Sequence, residues 1–253
     1  MAEQFTVSLG GCTIDVSCVY PTTRAFLKDY LSTCAPDFSV TVTDADIAAE
    51  AEKSRLEDEA EGIPVRSFPE TYLETLALYR KIAEKLPAYG TFLIHGSAIA
   101  VDNEAFLFCA KSGTGKSTHT RLWRKKFGDR AYMVNDDKPL LRVTENGAVI
   151  YGTPWDGKHR LSRPVAVGLR AVCILNRGAE NRIERLTGAE RFPNLFRQIY
   201  RPEDPAALAQ TLGLINGLLK VCPIYNLRCN MDPEAADVAY SGMTANETPE
   251  KES

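Results

Sequence analysis

The sequence contains no Cys-x-x-Cys pair, no surplus of positive charge and no run of ~18 uninterrupted apolar residues, and each absence removes a class of function. Its cysteines, Cys12, Cys18, Cys34, Cys109, Cys173, Cys222 and Cys229, are odd in number, and several sit inside apolar runs. That distribution suits reduced, packed thiols and argues against a disulfide framework or a zinc site. A net charge of -3 leaves no broad electrostatic footprint for a nucleic-acid backbone, so no nucleic-acid partner is expected. The start, MAEQFTVSLGG, lacks both a basic segment and a long apolar stretch, which predicts a cytoplasmic protein with no membrane partner.

What is present is ordinary globular material: 253 residues, 44% hydrophobic and 25% charged, enough for one large domain or two smaller ones. Residues 1–89 read as a smaller α+β region for binding a substrate or partner. A Gly10-Gly11 turn joins strands Phe5–Leu9 and Thr13–Val19, a helix runs from Thr23 to about Ser32, and Phe38–Thr43 alternates as a strand. Ala48–Glu61 reads as a solvated helix or linker. Glu70–Leu86 is a helix with Leu73, Leu76, Leu78, Ile82 and Leu86 broadly on one side. A boundary is expected near Pro87–Gly90. Residues 90–243 form a second, strand-rich domain, with helical patterns at Glu190–Tyr200, Pro205–Leu219 and Pro233–Tyr240. Residues 244–253 read as a disordered tail.

The second domain carries the chemistry. Ala110-Lys111-Ser112-Gly113-Thr114-Gly115-Lys116-Ser117 follows the apolar strand Ala105–Cys109 and precedes the helical stretch THTRLWRKKF, the setting that a phosphate-binding loop requires. Gly113 and Gly115 let the backbone curl so that successive amides face one centre, and the following helix adds its positive end. Lys116 reaches for the β- and γ-phosphates, Ser117 offers a hydroxyl to Mg²⁺, and Thr118 completes the expected nucleotide contacts. Ala110 departs from the usual glycine. No Asn-Lys-x-Asp motif for reading a base is present, which leans the reading towards ATP.

Three further segments offer partners. Asn135-Asp136-Asp137 stands at the end of a strand-like run, where carboxylates can hold Mg²⁺ or take a proton from an attacking hydroxyl; the same residues also favour a plain turn. His95 lies fifteen positions before Ala110 with two short strands between, so a hairpin can return it to the loop, or it is a satisfied core histidine. The stretch Gly152 to Leu161 holds Lys158 and Arg160, which read either as a clamp on an anionic substrate or as a solvated basic loop anchored by Trp155. Arg121, Arg124, Lys125 and Lys126 read as the exposed face of the helix after the loop.

With His95-Gly96, the loop and Asp136-Asp137 taken together, the segment from His95 to about Val143, a fifth of the chain, resembles the kinase domain of HPr kinase/phosphorylase. More distantly it is similar to the nucleotide-binding part of ATP-dependent phosphoenolpyruvate carboxykinase, whose loop also reads S-G-T-G-K. The overall layout is similar to HPr-kinase-like proteins often labelled carboxykinases. The resemblance implies an α/β fold with the phosphate loop at a sheet edge, an ATP- and Mg²⁺-dependent kinase, Asp136 as general base, Asp137 helping at the metal, and His95 at the transfer centre. The acceptor it implies is a hydroxyl of a protein, a peptide or a small molecule such as free serine. The family's E-x-R-G-x-G stretch has no counterpart here, and the first 90 residues do not match its N-terminal domain, so HPr itself is not carried over. Carboxykinase chemistry and a catalytically inactive nucleotide sensor are the competing readings.

Overall fold

A computed structural model describes residues 3–111, 113–157 and 159–245, and divides into two compact units: residues 1–91 with 201–210, and 92–200 with 211–253. The first break between the units falls after Thr91. The return of residues 201–210 to the first unit has no local signature; there the Glu203 and Asp204 amides donate to the Glu84 carboxylate at 3.0 to 3.4 Å.

The first unit comprises β1 (Glu3–Leu9), β2 (Cys12–Cys18), α1 (Pro21–Phe26), β3 (Phe38–Thr41), α2 (Asp44–Glu61) and α3 (Glu70–Lys85). β1 and β2 form an antiparallel hairpin across Gly10 and Gly11, whose φ of 61° and 80° suit a tight two-residue turn. β3 adds parallel to β2. α1 stops well short of Ser32, because the chain after it commits its hydrogen bonds to β1: the Ser32 amide donates to Thr6, and Leu31 bridges Val7. α2 begins earlier than expected and takes the helical of the two expected forms, mostly exposed with Ile47, Glu50 and Asp58 buried. Thr43 and Asp46 close a reciprocal cap at its start. Glu50 on α2 pairs with Arg80 on α3, both contacts 2.8 Å. The buried Glu74 carboxylate accepts from the Val19 and Tyr20 amides and the Thr23 hydroxyl, tying α3 to the start of α1.

The second unit is mixed α/β around a curled sheet. Its strands are β4 (Thr91–Leu93), β5 (Gly96–Val101), β6 (Glu104–Cys109), β7 (Ala131–Asp137), β8 (Leu140–Thr144), β9 (Gly147–Tyr151), β10 (Ala166–Arg177), β11 (Arg182–Arg185) and β12 (Ile224–Cys229). Helices α4 (Lys116–Phe127), α5 (Arg191–Phe196), α6 (Pro205–Val221) and α7 (Glu234–Thr244) cover it. Among the described residues the order is β4-β8-β9-β10-β6-β5-β7, with β12 also pairing β10 and β11 pairing β12. β10 pairs β9 antiparallel near its start and β12 parallel near its end, both on the edge opposite β6. Its register against β6 shifts between Leu169 and Ala171, a bulge that bends the strand where it changes partner.

β6 lies inside this sheet, parallel to β10 and antiparallel to β5, so the phosphate-loop segment leaves a central strand and not the sheet edge expected. Its side chains alternate between two cores. Ala105, Leu107 and Cys109 face one with Ile215 and Leu218 of α6; Phe106 and Phe108 face the other with Trp123 of α4 and Ala235 and Ala239 of α7. The helix expected over Glu190–Tyr200 shortens to α5, because Gln198 and Ile199 pair with the backbone at His95 and Ile94. The cysteines are free thiols, all buried except Cys34. Among the described residues no helix is long and apolar enough to cross a membrane. Most of the proposed disordered tail, 246–253, lies outside the described residues.

Candidate functional site

Strand register brings the three motifs to one end of the sheet. β5 runs antiparallel to both β6 and β7, so Ser97 stands opposite Phe108 on one side and Asp136 on the other, and Gly96 stands opposite Asp137. Gly96 is required for this closeness: a Cβ there would lie 2.7 Å from the Leu107 side chain and 3.0 Å from the Phe108 carbonyl. The hairpin route from His95 back to the loop is therefore the path the chain takes.

The loop leaves β6 at Ala110, which is only 2% exposed and packs in the core beside Phe108 and Trp123, where a methyl group has a use that a glycine would not serve. Gly113 and Gly115 have φ of 75° and 124°, and Gly115 leads directly into α4. The first backbone bond of α4 comes from His119 to Gly115, so the amides of Lys116, Ser117 and Thr118 point along the helix axis without intrahelical acceptors. Three such donors at a positive helix end make an anion site. Arg177, at the end of β10, braces the loop by donating to the Gly113 carbonyl at 2.6 Å and the Thr114 carbonyl at 3.4 Å. Ser112 lies outside the described residues.

Two side-chain chains converge beneath the loop. Lys116 Nζ lies 2.8 Å from His95 Nε2 and donates at 3.2 Å to the Ala110 carbonyl. His95 Nδ1 lies 3.1 Å from Asp137 Oδ1. A carboxylate on one side and an ammonium on the other assign the imidazole proton to Nδ1, leaving Nε2 as acceptor. Burial lowers the Lys116 ammonium below its ordinary value, with the Asp136 and Asp137 charges opposing it. Burial pushes the Asp137 carboxyl up, but the His95 hydrogen bond together with the charges of Lys138, His95 and Lys116 outweighs it and the net movement is down. In the second chain, the Ser117 hydroxyl lies 3.2 Å from Asp136 Oδ2, and the buried Ser97 hydroxyl donates to Asp136 Oδ1. The resemblance implies Asp137 with Ser117 at a metal; in the structure Ser117 meets Asp136, and Asp137 turns to His95.

The stretch from Gly152 to Leu161 is held against β7 by buried polar groups. The Asn135 amide, fully buried, donates at 3.0 Å to both the carbonyl and the hydroxyl of Thr153, and its oxygen accepts from the Lys138 amide at 2.9 Å. The Gly157 amide donates to the Asp136 carbonyl, Asp156 bridges Asp137, and the Asp156 carboxylate accepts from the Ser162 amide at 3.2 Å. Asp137 itself has a φ of 141°, a conformation non-glycine residues rarely adopt.

The resulting cleft has a volume of about 880 Å³ and is lined by His95, Lys116, Ser117, Thr118, Asp136 and Asp137, with Arg121 and Arg124 on one wall and His159 near the stapled stretch. Of the expected clamp, Lys158 lies outside the described residues, and Arg160 is exposed and does not line the cleft. Arg121 and Arg124, read from sequence as a solvated face, take that place. The signal was available: positions 117, 121 and 124 follow helical spacing and share a side of α4 with the Ser117 hydroxyl. Arg124 also has a buried Nε with no hydrogen-bond partner among the described residues.

A second cavity, about 450 Å³, lies past Gly113 and Thr118 and is lined by His119, Leu122, Leu175, Asn230 and Met231. The Ser117 hydroxyl beside a carboxylate suits a hard cation that completes its shell with phosphate oxygens and water. Among the described residues no cluster of three or more His, Cys, Asp or Glu forms an all-protein metal cage. No protein-family model matches the chain, and no curated protein matches it.

Proposed function

We propose that this protein is an ATP- and Mg²⁺-dependent phosphotransferase of the HPr kinase-like type, passing the γ-phosphate to a hydroxyl. The observation that carries the reading is the convergence of Asp136 on Ser117 and of His95 on Lys116 beneath one loop, although the three segments are separated in sequence. A glycine-rich turn that merely starts a helix needs neither contact.

In this reading the amides of α4 and Lys116 hold the β- and γ-phosphates, while Arg121 and Arg124 neutralise further charge. Ser117 and Asp136 hold the magnesium ion, which when bound neutralises phosphate charge. Asp136 accepts the proton of the attacking hydroxyl, and Ser97 fixes the carboxylate's orientation. His95, aligned by Asp137, holds the Lys116 ammonium in place beside the transferring group. The second cavity supports adenine as the base. It has apolar walls and, among its described lining residues, no carboxylate to pair with the N–H groups of guanine. His119, which borders that cavity, is 2% exposed and accepts from the Trp123 indole at 3.0 Å, which leaves its buried Nδ1–H without a partner among the described residues.

Purified protein with Mg²⁺ and γ-labelled ATP is expected to label a hydroxyl acceptor. Asp136→Asn should lower kcat at least ~100-fold while ATP binding measured by calorimetry persists. An Asp136→Asn protein that transfers phosphate as fast as the parent removes the proposed base.

A further inference from the structure

A third cavity, about 510 Å³, opens in front of the phosphate loop, sharing Ala110, Lys111 and Thr114 with that loop and His95 with the cleft. Its floor is the C-terminal end of β10, Ile174 to Asn176, beside Ala110 and Lys111, the position at the carboxyl ends of sheet strands where ligands of α/β proteins collect. Its far wall is α5 and the residues after it: Asn194, Arg197 and Gln198. This wall is fixed, because the His95 amide donates to the Gln198 carbonyl at 2.7 Å and Ile94 bridges Ile199. The same hydrogen bond that truncates the expected helix therefore sets Arg197 across from the start of the loop.

The lining has one sign of charge. Lys111 and Arg197 are both exposed, neither has an ion-pair partner among the described residues, and no carboxylate is among the described residues that line the cavity. The remaining polar groups, Asn176, Asn194 and Gln198, are neutral. Two cations lining one cavity that has no carboxylate among its described residues favour an anion there, and the guanidinium of Arg197 presents a planar fork matched to a carboxylate. A monoanion is favoured over a phosphate dianion, since the nucleotide's own phosphates bring several negative charges to the adjoining cleft. His95 lines both cavities and marks where they meet.

We propose that this cavity is the acceptor subsite and that the acceptor carries a carboxylate, held by Arg197 and Lys111, with its hydroxyl directed to His95 and Asp136. The inference rests on the phosphotransferase reading and narrows its acceptor to hydroxy acids, serine-like amino acids or a peptide ending in a free carboxylate. In the step itself the acceptor oxygen forms a bond to the γ-phosphorus as the bond from that phosphorus to the β,γ-bridging oxygen breaks. The electron pair leaves with ADP, and the hydroxyl proton passes to Asp136.

The test compares L-serine with L-serinamide, and a serine-terminated peptide with its C-terminal amide, as acceptors for the full chain with Mg²⁺ and ATP. The acids should exceed their amides in kcat/KM by about tenfold or more, and which acid wins separates a free metabolite from a peptide end. Arg197→Gln should raise KM for the preferred acid about tenfold while KM for ATP and turnover of the amide stay within about twofold. Equal use of acid and amide, a preference for a sugar phosphate, or an Arg197→Gln effect confined to ATP overturns the subsite. Calorimetry of L-serine and the free-acid peptide with Mg²⁺ and the β,γ-imido analogue of ATP serves as the second arm. If phosphate moves to none of the acceptors, the phosphotransferase reading fails; the subsite then stands if either acid still binds in an Arg197-dependent way, and falls if neither does.

Discussion

Lys116 is covalently part of the helix that follows the loop, yet its ammonium depends on His95, between β4 and β5, and through it on Asp137 of β7. It sits 2.8 Å from His95 Nε2, and His95 in turn depends on Asp137 for its tautomer. Lysine at this position works by pointing a charge at phosphate oxygens, and a charge that wanders does so at an entropic cost. His95 holds it within the cleft without neutralising it. His95→Ala should therefore lower kcat about 100-fold, because the aligned contact at the transfer centre is lost, while KM for ATP changes by less than about threefold, since the helix amides and Lys116 remain. His95→Gln, which keeps a donor and an acceptor at similar reach, should recover part of the rate. Steady-state kinetics by ADP release would check both. A variant whose loss appeared wholly in KM for ATP would make His95 a nucleotide ligand and leave the transfer centre to Asp136 alone.

At the scale of elements, the site is a problem of register. β7 ends in two adjacent carboxylates that both line the cleft, and the φ of 141° at Asp137 breaks the regular strand alternation there, so Asp136 turns to Ser117 and Asp137 to His95. From sequence alone either aspartate could hold a metal or take a proton, and only the backbone turn at Asp137 separates their partners. The stretch after β9 then closes over β7, with Gly157 packed so tightly that a Cβ would lie 3.0 Å from the Asp136 carbonyl and 3.3 Å from its carboxylate. Gly157→Ala should displace the carboxylate by a few tenths of an ångström. The expected outcome is a loss of kcat of about tenfold with ATP affinity within about twofold and a thermal midpoint lowered by only a few degrees. Calorimetric titration with ATP, a melting curve and single-turnover transfer separate these effects. An unchanged rate would show that the stretch covers Asp136 without setting its position.

For the whole molecule, what could be read from sequence was whatever local chemistry dictates. The β6–loop–α4 unit was legible because glycines, Lys116 and Ser117 have few other uses in that order, and the β1–β2 hairpin because Gly10-Gly11 has one geometry that fits. The division of β10 between β9 and β12, the return of residues 201–210 to the first unit and the cavity facing Arg197 were not, because each depends on contacts between residues far apart in the chain, which leave no periodicity behind. His119 belongs to the same hidden class: a polar residue in the first turns of an apparently exposed helix, it is buried at 2% exposure against Phe108 and Trp123. Burial pushes its imidazole down from an ordinary 6.5 to about 4. The sign follows from which state binds the proton first. Between pH 6.5 and 4 the unfolded chain takes up a proton that the folded chain refuses, so this contribution is whole above pH 6.5 and drains away as pH falls towards 4. At ~1.4 kcal/mol per pH unit the loss is bounded at roughly 3 kcal/mol. His119→Gln, which still offers the Trp123 indole an acceptor, should unfold at a urea midpoint that changes less between about pH 7 and pH 4.5 than that of the parent. Equal slopes for the two proteins would mean that the acid sensitivity of the fold arises elsewhere, and that the orphan Nδ1–H beside the second cavity is not held in a neutral ring.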